Sequence, residues 1–134
     1  MKNVKELAQK LETKIQNSYE EGISLEEAEK LSGEFLHAQM RISSALKDAD
    51  LNARMRKAGM KALRAALYLE AANKGDKKPT EATLSAIIDS NEIVAQQQEA
   101  LDIAEVERDE LSRFNEIFTQ AHVYYRQMAK GTLG

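Results

Sequence analysis

Apolar residues recur at three- and four-residue steps along most of the chain, which is the pattern of amphipathic α-helices. The first run of such residues predicts a helix over residues 2–21, and Gly22 suits the left-handed C-terminal end of that helix. Ser24 and Glu27 form a capping box, a signal for a helix start. The pattern therefore predicts a second, long helix over residues 24–73.

One clear loop interrupts the second half of the chain. Glycine, lysine and proline residues cluster in residues 74–79, which we predict to be a turn between helices. A short helix is predicted over residues 80–89 and a last long helix over residues 91–130. Between them, Asp89 stands three residues before Glu92, so Asp89 is the expected cap of the last helix.

Composition points to a thin helical core. Charged residues make up 31% and aromatic residues only 5% of the 134 residues, as in helix hairpins and coiled coils. We expect one all-α domain, residues 1–134, built as an elongated antiparallel helical hairpin with an extra N-terminal helix. It should be coiled-coil-like and oligomeric, because partner copies bury apolar surface. Whether the long helix is broken near Gly59 is left undecided, because a glycine inside a helix is less stable than an alanine there by about 1 kcal/mol. Tyr124 and Tyr125 are expected to lie half in the core and half at the surface.

The N-terminal sequence and the lack of long apolar runs bear on the compartment, whereas the absence of cysteine leaves it undecided. The sequence contains no cysteine, which excludes disulfide bonds and thiol catalysis. The N-terminal stretch is charged throughout, and no apolar run approaches the length of a membrane span. We therefore expect a cytoplasmic protein without a membrane partner.

Charge is distributed unevenly along the chain. Residues 54–78 contain eight basic and two acidic residues, whereas residues 79–110 contain one basic and nine acidic residues. On a helical wheel at about 100° per residue, five residues of the basic segment fall within about 80° of one another. These residues form what we call the basic stripe: Arg54, Lys57, Lys61, Arg64 and Tyr68. Three lysines extend the positive charge into the loop: Lys74, Lys77 and Lys78.

Single-stranded nucleic acid needs this combination, because cations follow the phosphates and a flat ring stacks on a base. The sequence therefore predicts that the basic stripe and the three loop lysines bind single-stranded DNA. One alternative is that the stripe pairs with the acidic segment around Glu92, Glu99 and Asp102, or with a neighbouring subunit. Another is that it is an ordinary solvated face.

Catalytic motifs are incomplete. Glu34 and His37 have the Glu-x-x-His spacing of di-iron helical bundles, but the second motif is missing at His122. Two acidic pairs resemble those with which all-α nucleotide pyrophosphohydrolases hold Mg²⁺: Glu26 with Glu29, and Glu99 with Asp102. These pairs stand about seventy residues apart, well beyond the usual gap in that family. We therefore expect that the protein is not an enzyme and that it binds neither a metal ion nor a cofactor.

The order of these features resembles the UvsY-type recombination mediators of tailed phages. The resemblance covers about residues 25–130. Its most similar parts are the basic stretch from Lys57 to Tyr68, the loop 73–79, and the segment from Pro79 to Val94. The resemblance implies a ring-like homo-oligomer that binds single-stranded DNA and helps to load a recombinase against a single-strand-binding protein. It also implies phosphate contacts for three residues: Lys57, Lys61 and Arg64. Here one tyrosine stands where that family has an aromatic pair.

Three functions follow as hypotheses. The first is a single-stranded DNA-binding recombination accessory protein that acts as a homo-oligomer. The second is a phage protein-interaction module, either a scaffolding or assembly factor or an inhibitor of a host or defence protein, which uses the acidic face of residues 81–110. The third is a Mg²⁺-dependent nucleotide pyrophosphohydrolase.

Overall fold

The structure, a computed structural model, describes residues 2–75, 77 and 79–131. In these residues the fold is all-α, as predicted, and consists of four helices: α1 (Lys2–Glu21), α2 (Leu25–Ala72), α3 (Glu81–Asp89) and α4 (Glu92–Ala129). Every helix begins and ends within one residue of the bound expected from the sequence. The 48-residue helix α2 continues through Gly59 without a break. No helix in this part of the chain combines the length and apolar character needed to cross a membrane.

Side-chain and glycine signals set the helix ends. The Ser24 hydroxyl accepts a hydrogen bond from the Glu27 N–H at 3.1 Å, and Gly22 has a φ of 74°. The start of α4 differs from the prediction. Asn91 Oδ1 accepts the Ile93 and Val94 N–H groups at 2.9 and 3.2 Å, so Asn91 is the cap. The prediction of Asp89 as the cap is wrong, because Asp89 is the last residue of α3.

The chain divides into two compact units, and the first comprises residues 1–48 and 109–134. Its core contains the Phe35 ring of α2, which lies 5.4 Å from the Phe118 ring and 5.4 Å from the Tyr125 ring of α4. Ser43 of α2 donates a hydrogen bond to Asn115 Oδ1 of α4 at 2.8 Å. Later residues of α2 contact earlier residues of α4, so the two long helices pack antiparallel in this unit. Helix α1 adds three buried residues: Val4, Ala8 and Leu11.

The second unit comprises residues 49–108 and contains the basic stripe. Its core joins the end of α2, the short helix α3 and the start of α4 through four buried residues: Met60, Ile88, Val94 and Leu101. Leu63, Leu67 and Tyr68 pack against this cluster from α2. Helix α3 therefore fixes which groups lie beside the end of the basic stripe.

Candidate nucleic-acid interface

The first cations of the basic stripe are open to solvent. Helix α2 places Arg54, Lys57 and Lys61 on its exposed surface. Arg54 Nε lies 3.0 Å from Asp50 Oδ2, one turn earlier, and the Arg54 side chain is 76% exposed. Within the described residues, Lys57 and Lys61 form no ion pair. These two lysines are therefore free to contact an anion.

Arg64 is held by the short helix α3. Its Nη1 and Nη2 atoms both donate to Asp89 Oδ1 at 3.1 Å, and both side chains remain partly exposed. An exposed pair of this kind contributes little to stability, about 0–1 kcal/mol, so a phosphate could replace the carboxylate. Such a replacement exchanges one ion pair for another, so Arg64 gains less from phosphate than an unpaired lysine does.

Tyr68 at the end of the stripe connects α2 to α3. Its hydroxyl donates to Glu81 Oε1 at 2.8 Å, and its half-buried ring packs against the core cluster of the second unit. The hydrogen bond to the Glu81 carboxylate and the charge of that carboxylate raise the pKa of Tyr68, with a further contribution from burial. The ring is thus already engaged within the unit, which limits its use for stacking on a base.

The loop lysines differ in their surroundings. Lys74 is exposed, and its Nζ lies 3.9 Å from Glu70 Oε1, a long contact within the same turn. Lys77 is also exposed. Lys78 lies outside the described residues. Lys74 and Lys77 can therefore extend the positive surface beyond α2.

An apolar groove beside Lys74 was not foreseen from the sequence. It has a volume of about 360 Å³ and is lined mainly by Leu67, Ala71, Pro79 and Ile87. The groove exists because α3 folds back on the end of α2, a tertiary arrangement that helical periodicity does not encode. The groove offers apolar surface next to Lys74, at the end of the basic stripe where Tyr68 packs against the core cluster.

In the part of the chain that the structure describes, the acidic segment of α4 does not neutralise the stripe. Glu92, Glu99 and Asp102 are exposed, and among the described residues none of them pairs with a stripe cation. Asp102 accepts a hydrogen bond from Gln98 Nε2 at 2.9 Å, one turn earlier on α4. The only ion pair from the stripe to another helix, in the part of the chain that the structure describes, is the Arg64 pair with α3.

Glu34 and His122, the residues considered for a di-iron site, make contacts within the first unit. Glu34, from the Glu-x-x-His motif, pairs with Lys14 of α1 at 2.8 Å. His122 Nδ1 lies 3.2 Å from the Ser32 hydroxyl, within the first unit. The described residues contain no cluster of three or more His, Cys, Asp or Glu side chains that could hold a metal ion. Tyr125 is 2% exposed and Tyr124 is 49% exposed, so this pair lies half in the core and half at the surface.

Compared with protein-family models, curated protein sequences and solved structures, the chain matches none of them.

Proposed function

We propose that this chain binds single-stranded DNA along the exposed end of α2 and acts, as a homo-oligomer, as an accessory protein in recombination. The observation that carries the proposal is the row formed by Arg54, Lys57 and Lys61. The segment from Leu51 to Leu69 contains no acidic residue, and the two lysines have no ion-pair partner among the described residues. The role in recombination, with a recombinase and a single-strand-binding protein as partners, is supported by the resemblance of the order of sequence features to the UvsY-type mediators.

The geometry of α2 suits a phosphate backbone. Residues three or four positions apart rise about 5 Å along a helix, so the cations form a row parallel to the helix axis. Each unpaired lysine that meets a phosphate releases counterions from the DNA, which favours binding at low salt. Lys57 and Lys61 should therefore contribute more to DNA binding than Arg64, which already has Asp89 as a partner.

The test is binding of a fluorescein-labelled single-stranded oligonucleotide, followed by fluorescence anisotropy at several salt concentrations. We expect Lys57→Ala and Lys61→Ala to weaken binding to all sequences alike. Each should also reduce the slope of log K against log salt by about 0.7, the value for one phosphate of a single strand. Arg56→Ala is the matched control, because Arg56 is an exposed cation on the same helix, about 100° around the wheel from Lys57.

The comparison between these variants decides the site. Unchanged binding in the Lys57→Ala and Lys61→Ala double variant removes the basic stripe as the DNA site. Equal losses of DNA affinity in the Arg56→Ala and Lys57→Ala variants show that net charge, and not the stripe, determines the affinity. Circular dichroism of each variant checks that the helical fold is intact.

A second candidate function rests on the opposite charge. Glu92, Glu99 and Asp102 lie exposed on α4, with Ile103 and Val106 exposed beside them, a combination that suits a basic protein partner. A phage assembly factor or an inhibitor of a host or defence protein would use this face. Retention of a basic protein after nuclease treatment, with its loss in Glu99→Lys, supports this candidate, and retention of no such protein rejects it.

A further inference from the structure

Helix α2 has a second apolar face that is exposed in the part of the chain that the structure describes. Six residues at alternating steps of four and three make up this face, which we call the apolar stripe: Leu51, Met55, Ala58, Ala62, Ala65 and Leu69. This spacing is that of the contact positions in a coiled coil. All six are exposed, and the three large ones are 58%, 66% and 61% exposed in chain order. On the helical wheel the stripe lies opposite Met60 and Leu67, which face the core of the second unit.

Helix α4 has an outward face of complementary charge in the same unit. Five exposed residues within about 100° of the wheel make up this face, which we call the acidic face: Glu92, Glu99, Asp102, Ile103 and Val106. Ile103 and Val106 are 61% and 65% exposed. The acidic face lies opposite Val94 and Leu101, which face the core. It thus combines apolar contact surface with carboxylates that have no cationic partner among the described residues.

We propose that the apolar stripe of one copy packs against the acidic face of α4 in a second copy. Arg54 and Lys61 stand directly before Met55 and Ala62 in the sequence, so they border the apolar stripe on one side. In the assembly without DNA they meet the carboxylates of the second copy while Ile103 and Val106 cover the stripe, and when DNA binds a phosphate replaces the carboxylate at Lys61. The inference rests on the homo-oligomer part of the proposed function and does not depend on DNA binding.

Charge disfavours antiparallel pairing of the stripe with itself. Two antiparallel α2 helices would bring the bordering cations of both copies together, and like charges across an interface oppose association. The acidic face provides the opposite sign, because residues 79–110 carry nine acidic residues and one basic residue. Charges that flank the apolar contact positions of a coiled coil determine which helices pair. Here they favour pairing of α2 with α4.

The two surfaces lie on opposite sides of their shared core, because each is opposite the buried face of its helix. A contact between them is therefore heterologous, and every copy keeps one unused surface after the first contact. The assembly should consequently grow beyond a dimer, either closing into a ring or extending as a chain.

The experiment measures the mass of the full chain in solution without DNA, by sedimentation velocity over a range of protein and salt concentrations. The wild type should form species larger than a dimer. Two charge-reversed double variants, Arg54→Glu with Lys61→Glu and Glu99→Lys with Asp102→Lys, should each associate at least about tenfold more weakly. An equimolar mixture of the two variants should restore association, because each then meets opposite charge at both surfaces.

Apolar packing is tested separately. Ala62→Glu, in the middle of the stripe, should dissociate the assembly, whereas Ala82→Glu, at an exposed position on α3, should leave it intact. Circular dichroism shows whether each variant is folded. A monomeric or strictly dimeric wild type overturns the proposal. So does normal association of the Glu99→Lys and Asp102→Lys variant, which would mean that the stripe pairs with another surface.

Failure of this inference can be told apart from failure of the proposed function. The Glu99→Lys and Asp102→Lys variant keeps the whole basic stripe, so it should still bind the labelled oligonucleotide when it no longer associates. Association without DNA binding rejects the DNA-binding function alone. DNA binding by a protein that stays monomeric without DNA rejects the inference and the homo-oligomer part of the proposed function, and leaves the DNA-binding part standing.

Discussion

Phe35→Ala should strongly destabilise the first unit. Phe35 is fully buried, and its ring lies 5.4 Å from the rings of both Phe118 and Tyr125. Truncation removes this apolar contact and leaves a cavity, which for buried phenylalanine costs about 3–5 kcal/mol. Roughly 0.5–1.5 kcal/mol of each ring pair comes from the aromatic geometry itself. Since a folded domain is stable by only about 5–15 kcal/mol, the predicted loss is a large fraction of the total.

The free energy of unfolding of Phe35→Ala should be measured in urea by circular dichroism of the helix signal. Leu36→Ala is a close control, because Leu36 is the next residue of α2 and is 43% exposed. Loss of its half-exposed side chain should cost about 1 kcal/mol. Equal stabilities of the Phe35→Ala and Leu36→Ala variants would refute the assignment of Phe35 to the core.

Four further substitutions test the Tyr68 contact, the cap of α4 and the backbone at two glycines. Below pH 10 the wild type should be more stable than Tyr68→Phe, because Glu81 raises the pKa of Tyr68 above its ordinary value of 10.0. Since folding raises the pKa of Tyr68, this advantage in stability should disappear as the pH rises through that pKa. Equal stability of both proteins in urea at neutral pH would contradict the hydrogen bond between Tyr68 and Glu81. Asn91→Ala should cost about 1 kcal/mol through loss of the α4 cap, measured by urea unfolding, and an unchanged midpoint would reject Asn91 as the cap. Gly22→Ala should destabilise the protein because Gly22 has a φ of 74°. Gly33→Ala should stabilise the protein by about 0.5–1 kcal/mol, because Gly33 lies inside α2 with open space around the added Cβ. Thermal melts in which both glycine variants shift the melting temperature in the same direction would contradict the backbone assignment.

The helix bounds could be predicted because their signals are local. Gly22 and the Ser24 capping box act within a few residues of the chain, and the structure uses both. The choice between Asp89 and Asn91 as the cap of α4 could not be made this way. Both residue types are good caps, and only the position at which α3 ends leaves Asn91 free for this role.

The surroundings of the basic stripe could be predicted only in part. Helical periodicity placed Lys57 and Lys61 on one face, and the structure leaves both exposed. It could not show that Arg64 and Tyr68 would be held by α3, because those contacts depend on how a separate segment packs.

Binding of labelled single-stranded DNA by the wild-type chain, followed by anisotropy at rising salt, is the most direct test of the basic stripe. If Lys57 and Lys61 each neutralise one phosphate, the slope of log K against log salt should be about −1.4 or steeper. Absence of binding at low salt, or binding that does not respond to salt, would contradict a DNA-binding role for the stripe.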